Sequence, residues 1–241
     1  MTFSTAFTKS LAVAGLLVAT PAAAEPIMLG SDDVGDSFTI DFNGFTGDGG
    51  VIDALGAKLT LTLKAITGKT YNFDYALSNT TDTSGGADAR ISSFAFNVDP
   101  ILQSASSTGE FQYTVINGRY PNEIGNVDVC FKAKDNPSCP GGGGKGEGIF
   151  AGKTALGTLS LDLTEKASTL TLDDFFVRYQ SVSGVPGVGS ASGAQISSTS
   201  GGNDVPEPNM LLLFGAAALM VFVGTRRRRK VEDKQVSVAY S

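Results

Sequence analysis

The 241-residue sequence contains no histidine and no tryptophan. Without histidine, Ser-His-Asp and Cys-His catalysis are excluded, and so are zinc or haem sites held by histidine. Without tryptophan, the chain lacks the largest aromatic side chain for stacking against a sugar ring. A hydrolase could still work with two facing carboxylates, but nothing in the sequence singles out such a pair. We therefore predict that the protein is not an enzyme.

Positive charge is scarce between residues 25 and 204. The whole sequence has 18 Lys and Arg against 24 Asp and Glu. Seven of the cationic residues are Lys9 and the six that follow Thr225, whereas only three acidic residues follow Asp204. The segment between therefore holds 11 cationic and 21 acidic residues, a net charge of about −10. This charge repels nucleic acid, and we expect no nucleic-acid partner.

Long apolar runs occur only near the two ends, and the first is typical of a signal peptide. Residues 11–19 follow Lys9, are too short to span a bilayer, and precede the small residues at positions 22–24. We predict that residues 1–24 are removed by signal peptidase and that the mature chain passes through the export machinery.

Alternation of apolar and polar residues with a period of two predicts an all-β ectodomain over residues 25–180. Residues 57–66 and 71–77 alternate on either side of a Gly-Lys turn, which predicts a β-hairpin. We expect further strands near residues 38–42, 90–98, 110–116, 126–133, 155–163 and 175–181, and a single helical turn within residues 100–107. Short antiparallel strands of this number favour a β-sandwich, with a jelly roll or an immunoglobulin- or cohesin-like arrangement as alternatives.

Residues 181–204 lose this periodicity. They are rich in Gly and Ser and carry few apolar side chains that could offset the entropy of ordering. We predict a flexible linker that lifts the ectodomain off the membrane.

The two cysteines, Cys130 and Cys139, are the only ones in the sequence. The dipeptide Asn136-Pro137 can turn the chain back between them, and an exported protein meets an oxidising environment. We predict a structural disulfide, because redox catalysis favours Cys-x-x-Cys and structural zinc needs more ligands.

Calcium is the one cofactor that the acidic residues suggest, and the suggestion is weak. Asp41, Asn43 and Asp48 lie on a Gly-rich stretch with oxygen ligands of the kind that calcium prefers. The spacing departs from the EF-hand loop, because Phe45 stands at a ligand position and no Glu closes the site. Otherwise we expect no cofactor.

The C-terminal segment combines three features in order. Val205, Pro206, Glu207 and Pro208 fix an extended backbone, and residues 210–225 predict a single, short transmembrane helix. A stop-transfer cluster and a short cytoplasmic tail, residues 231–241, follow. The cluster consists of Arg226, Arg227, Arg228, Arg229 and Lys230, which favour the cytoplasmic side.

Residues 205–241 resemble the PEP-CTERM sorting signal of Gram-negative bacteria, also described as the ice-binding protein C-terminal domain. The resemblance rests on the Val-Pro-Glu-Pro motif, the apolar run and the Arg cluster. It implies an exported, membrane-anchored precursor that an exosortase, a membrane-embedded transpeptidase, processes near Pro206–Pro208. The cysteines followed by glycines 141–144 also resemble the cistern subgroup, which implies no activity.

These features together predict a non-catalytic protein of the cell surface or extracellular matrix, with a structural or adhesive role in an envelope or biofilm. Exopolysaccharide is the partner that the sorting-signal resemblance implies. The alternatives are a calcium- or glycan-binding β-sandwich module and, third, a secreted hydrolase.

Overall fold

Strands account for nearly all the regular structure in residues 25–47, 50–140 and 146–200, which are the residues that this computed structural model describes. Several predicted features lie outside them: Asp48, the predicted signal peptide, and the whole C-terminal signal with its predicted helix, basic cluster and tail. No helix within the described ranges is both long enough and apolar enough to cross a membrane.

Within the described residues twelve strands form, and every pairing between them is antiparallel. They are β1 (Ile27–Leu29), β2 (Ser37–Phe42), β3 (Ala57–Thr67), β4 (Thr70–Asn79), β5 (Asp88–Asp99), β6 (Leu102–Ser107), β7 (Tyr113–Tyr120), β8 (Gly125–Lys132), β9 (Ile149–Phe150), β10 (Thr154–Leu163), β11 (Leu170–Ser183) and β12 (Ser190–Ser200). Two 3-10 turns, Ser31–Asp33 and Gly109–Phe111, interrupt them. The prediction of an all-β antiparallel domain is confirmed.

The strands form one continuous sheet rather than the two separate sheets of the predicted sandwich. Their order is β6-β10-β4-β3-β2-β12-β11-β5-β8-β7, with β1 paired to β11 and β9 paired to β5. The end strands β6 and β7 approach each other, and the Thr114 hydroxyl donates a hydrogen bond to the Ala105 carbonyl at 3.1 Å. The sheet therefore folds over and nearly closes on itself.

Strand β12 joins the two halves of this sheet. Its first part pairs with β11 and its second part with β2, with a register shift between Gln195 and Ser197. The prediction that residues 181–204 form a flexible linker was therefore wrong for residues 190–200, and also for residues 181–183, which belong to β11. The prediction of a helical turn within residues 100–107 was also wrong, because β6 occupies most of that segment.

Close packing explains why the alternation of apolar and polar residues did not predict β12. A Cβ atom on Gly193 would overlap the carbonyl oxygen of Asn43, and Ala191 and Ser192 are fully buried. Only small side chains fit at this crossing, and small side chains produce no apolar alternation. The buried first part of β12 therefore has the composition of a linker.

Aromatic side chains fill the interior between the two halves. The ring of Tyr75 in β4 lies 5.6 Å from that of Phe94 in β5, and Phe94 lies 5.0 Å from Phe131 in β8. Phe96 packs against Phe175 with ring centroids 5.1 Å apart. Phe94, Phe96 and Phe175 are all buried and belong to the core.

Candidate functional site

The predicted disulfide is present and stabilises a small second core on the outer face of the sheet. Cys130 in β8 is bonded to Cys139, with Cα atoms 5.6 Å apart. Both are buried with Ala95, Tyr120 and Val127. The bond holds the segment after β8 against the sheet. Because both cysteines are buried, the bond is not exposed to redox partners, and its role is structural.

The described calcium candidates are already engaged in holding the sheet together. Asp41 forms an ion pair with Lys58 at 3.4 Å and accepts a hydrogen bond from the Ser197 hydroxyl at 3.1 Å. The Asn43 side-chain oxygen accepts from the backbone N–H of Ala194 at 3.1 Å, beside the register shift of β12.

No group of three or more Asp, Glu, His or Cys residues suited to a metal ion occurs within residues 25–47, 50–140 and 146–200. Since Asp48 falls in a gap between those ranges, a calcium site with Asp41 and Asn43 stays a prediction.

An acidic groove that the sequence did not reveal lies where β5, β8 and β11 run side by side. It encloses about 270 Å³ and is lined by polar side chains, which include Asn97, Asp99, Asn126, Asp128, Thr171 and Asp173. The Asp128 carboxylate accepts the backbone N–H of Val98 at 2.8 Å, and the Asn97 amide donates to Asp174 at 3.0 Å. Asp128 and Asp173 are far apart in sequence, and only their places on either side of β5 bring them together.

Burial raises the pKa of Asp173, and the negative charges of Asp174 and Asp128 raise it further. An acid with a raised pKa beside an ionised carboxylate is the arrangement that glycoside hydrolysis requires. However, Asp128 and Asp174 already accept hydrogen bonds, and the groove is smaller than the usual 300 Å³ or more of a ligand pocket. We assign no reaction to it.

A broader depression lies on the outer face of β3, β4 and β10, and we call it the threonine trough. It consists of two cross-strand rows: Thr60, Ala76 and Leu156 in one row, Thr62, Asp74 and Thr158 in the other. It encloses about 450 Å³. Its depth follows from the small side chain of Ala76, which lies between Thr60 and Leu156.

The hydroxyl groups of the trough are held in place by neighbouring hydroxyls. Thr60 pairs with Thr39 at 3.1 Å and Thr62 with Ser37 at 2.7 Å. Each hydroxyl has one donor and two acceptor positions, so a mutual pair retains capacity for a ligand. Asp74 forms an ion pair with Lys64 at 3.4 Å, which offsets its negative charge. The trough is therefore polar, nearly neutral and rich in hydroxyl groups.

Comparison with known proteins identifies the C-terminal segment. The family model described as the PEP-CTERM protein-sorting motif matches residues 204–229. No curated protein and no solved structure matches the chain. The cistern resemblance therefore stays a prediction.

The match covers the Val-Pro-Glu-Pro motif, the apolar run and the four arginines that carried the resemblance. It indicates export in a Gram-negative bacterium and processing at the membrane, with exosortase as the processing partner. The chain thus carries a PEP-CTERM sorting motif and is an exported protein directed to an exosortase.

Proposed function

We propose that the protein is a non-catalytic component of the cell surface or extracellular matrix, with a structural or adhesive role in an envelope or biofilm. After processing, its β-domain binds exopolysaccharide through the threonine trough, and it does so without a cofactor. The composition of the trough carries this proposal.

The trough can make both kinds of contact by which a sugar polymer is bound, hydrogen bonds to its hydroxyls and apolar contacts to its C–H groups. Thr60, Thr62 and Thr158 present hydroxyls that can both donate to and accept from sugar hydroxyls. Leu156, 70% exposed, and Ala76 add apolar surface for the C–H faces of a sugar ring. Binding sites commonly combine apolar lining with a few fixed polar groups in this way.

Binding of the mature protein to exopolysaccharide isolated from the producing bacterium tests this proposal. We expect the protein to co-sediment with the polymer. We expect Leu156→Asp to weaken the affinity at least fivefold, because the bound sugar would cover the new carboxylate and remove it from water. Ile101→Asp is the matched control, since Ile101 is an exposed aliphatic side chain outside the trough. Absence of co-sedimentation, or equal loss in the two variants, would contradict the assignment.

Intact mass and C-terminal sequencing of the protein from its native envelope test the processing step. We expect a mature C-terminus near Val205–Pro208. Retention of the Arg cluster through Ser241 would instead show a plain membrane-anchored protein and remove the main support for a matrix role.

Calcium binding is the second candidate, and it rests on the Gly-rich stretch that contains Asp41, Asn43 and Asp48. Calcium should then raise the melting temperature of the protein, and a chelator should lower it again. Asp41→Asn should abolish the calcium effect. An unchanged melting temperature with calcium would dismiss this candidate.

A further inference from the structure

The C-terminal end of β12 lies very close in sequence to the sorting motif. The strand continues to Ser200, which pairs with Phe38 of β2, and only residues 201–204 separate it from Val205. A fully extended chain spans at most about 3.6 Å per residue. Val205 therefore lies within about 18 Å of Ser200, and Glu207 within about 25 Å.

This tether is shorter than the domain. β12 has 11 residues and is about 33 Å long, so the end of the domain opposite Ser200 lies beyond the reach of the motif. An enzyme that holds the motif in its cleft must therefore meet the end at which the chain leaves the sheet. A flexible linker of 24 residues, as predicted from the sequence, would let the motif reach the enzyme without bringing this end of the domain close to it. Because residues 190–200 form β12 instead, this end must lie close to the enzyme.

The surface at this end is a cavity of about 280 Å³ beside the last residues of β12. Ser198 and Thr199 line it together with Met28, Asp33 and Asp36. Met28 is 66% exposed, although its neighbours Ile27 and Leu29 in β1 are buried. We call these five lining residues the exit surface. It combines an exposed apolar side chain with carboxylates and hydroxyls.

We propose that the exit surface contacts the exosortase while the sorting motif is being processed, so that the enzyme recognises the folded domain as well as the motif. This inference rests on the proposed function, because it requires exosortase processing. It adds the surface of the ectodomain that takes part.

The opposite end of the domain supplies matched controls. Val51 is 61% exposed, and Asp53 is an exposed carboxylate in the same loop. This loop leads into the beginning of β3, whose Ala57 pairs with Phe42 at the other end of β2. Met28→Arg with Asp36→Arg therefore has a counterpart of equal chemistry in Val51→Arg with Asp53→Arg.

Pulse–chase of the full chain in its native host, with the fraction of processed protein as the readout, tests the inference. We expect the exit-surface double variant to be processed at least fivefold more slowly than the parent, and the control double variant at the parental rate. Insertion of 12 Gly and Ser residues after Ser200 should make the parent and both variants alike, since the domain then no longer has to lie against the enzyme.

Equal rates for parent and exit-surface variant with the native tether would overturn the inference. So would faster processing of that variant, or a defect that persists after the insertion. If the parent is never processed, the proposed function and this inference both fail. If the parent is processed but the exit-surface variant behaves like it, only this inference fails.

A photo-cross-linking residue at position 28 or 51 of the full chain provides a measurement that does not depend on rates. We expect a cross-link to the exosortase from position 28 and none from position 51. The opposite pattern, or no difference between the two positions, would contradict the assignment.

Discussion

The carboxyl group of Asp173 lies beside two other carboxylates, and this neighbourhood makes it sensitive to pH. Burial and the charges of Asp174 and Asp128 raise its pKa in the folded protein. Between the unfolded value, about 3.9, and the raised folded value, the folded state binds more protons. The contribution of Asp173 to stability therefore falls as pH rises through this window and stays low at pH 7.

Asp173→Asn should remove this penalty, because the amide carries no charge at any pH. We expect the free energy of unfolding to increase at pH 7, on the order of 0.5 kcal/mol because the site is partly exposed and screened. At pH 3, where the wild-type carboxyl is protonated, the gain should vanish. Urea unfolding at both pH values measures this, with the exposed Asp53→Asn as control. An equal gain at both pH values would contradict the charge explanation.

Gly193 allows β12 to lie against its neighbours. Gly193→Ala should lower the free energy of unfolding by about 1–3 kcal/mol, the usual cost of overpacking, because the new methyl group meets the Asn43 carbonyl and the Val177 side chain. Gly189 has open space around its Cβ position, so Gly189→Ala should change stability by less than about 0.5 kcal/mol. Denaturant midpoints of the two variants compare them directly, and similar midpoints would show that the crossing is not tight.

At the scale of the elements, the disulfide closes a short loop on the outer face of the sheet. Replacing both cysteines by alanine should lower stability by about 2–3 kcal/mol, the chain-entropy value for a separation of nine residues. The loss should match the effect of adding reductant to the wild-type protein, and reductant should not affect the variant. A reductant effect on the variant would show that something other than this bond responds.

Strand β12 should be indispensable for folding. A chain ending at Gly189 leaves β2 and β11 with unpaired edges and removes the buried Ala191 and Ser192 from the core. We expect a chain covering residues 25–189 to be aggregated or unfolded, because unpaired edges promote association. A chain covering residues 25–200 should fold cooperatively. Thermal unfolding and size-exclusion chromatography distinguish the two outcomes, and a folded shorter chain would show that the halves close without β12.

The sequence was sufficient for the strands that alternate clearly, and insufficient for the others. The hairpin of β3 and β4 is confirmed because its apolar residues face one core and its turn contains Gly68. In contrast, β6 is largely exposed, and β12 buries only the small residues 191–193, so neither produces a strong period of two. Hydrophobic periodicity detects a strand only when one of its faces buries large side chains.

The candidate sites show a similar division at the residue level. Cys130 and Cys139 could be paired because the sequence offers no other cysteine. The acidic groove and the threonine trough each combine residues from three strands, whose order in the sheet cannot be obtained from local pattern alone. Such sites become visible only when the register is known.

For the whole molecule, the main correction concerns the domain boundary. The folded unit extends to Ser200 rather than to residue 180, so the predicted 24-residue linker shrinks to residues 201–204 between sheet and motif. The motif that is processed at the membrane therefore follows the last strand of the sheet by only four residues. Cleavage near Val205–Pro208 would remove none of its strands.

The central place of β12 also sets the timing of folding during export. A chain that crosses a membrane from its N-terminus delivers β2 early, but the strand that pairs β2 with the other half arrives about 150 residues later. Such distant pairings are slow to form. The edges of β2 and β11 that pair with β12 therefore stay unpaired until β12 has crossed the membrane. The sorting motif follows β12 after only four residues. In a chain exported in this way, the fold therefore cannot be complete before the sorting motif approaches the processing enzyme.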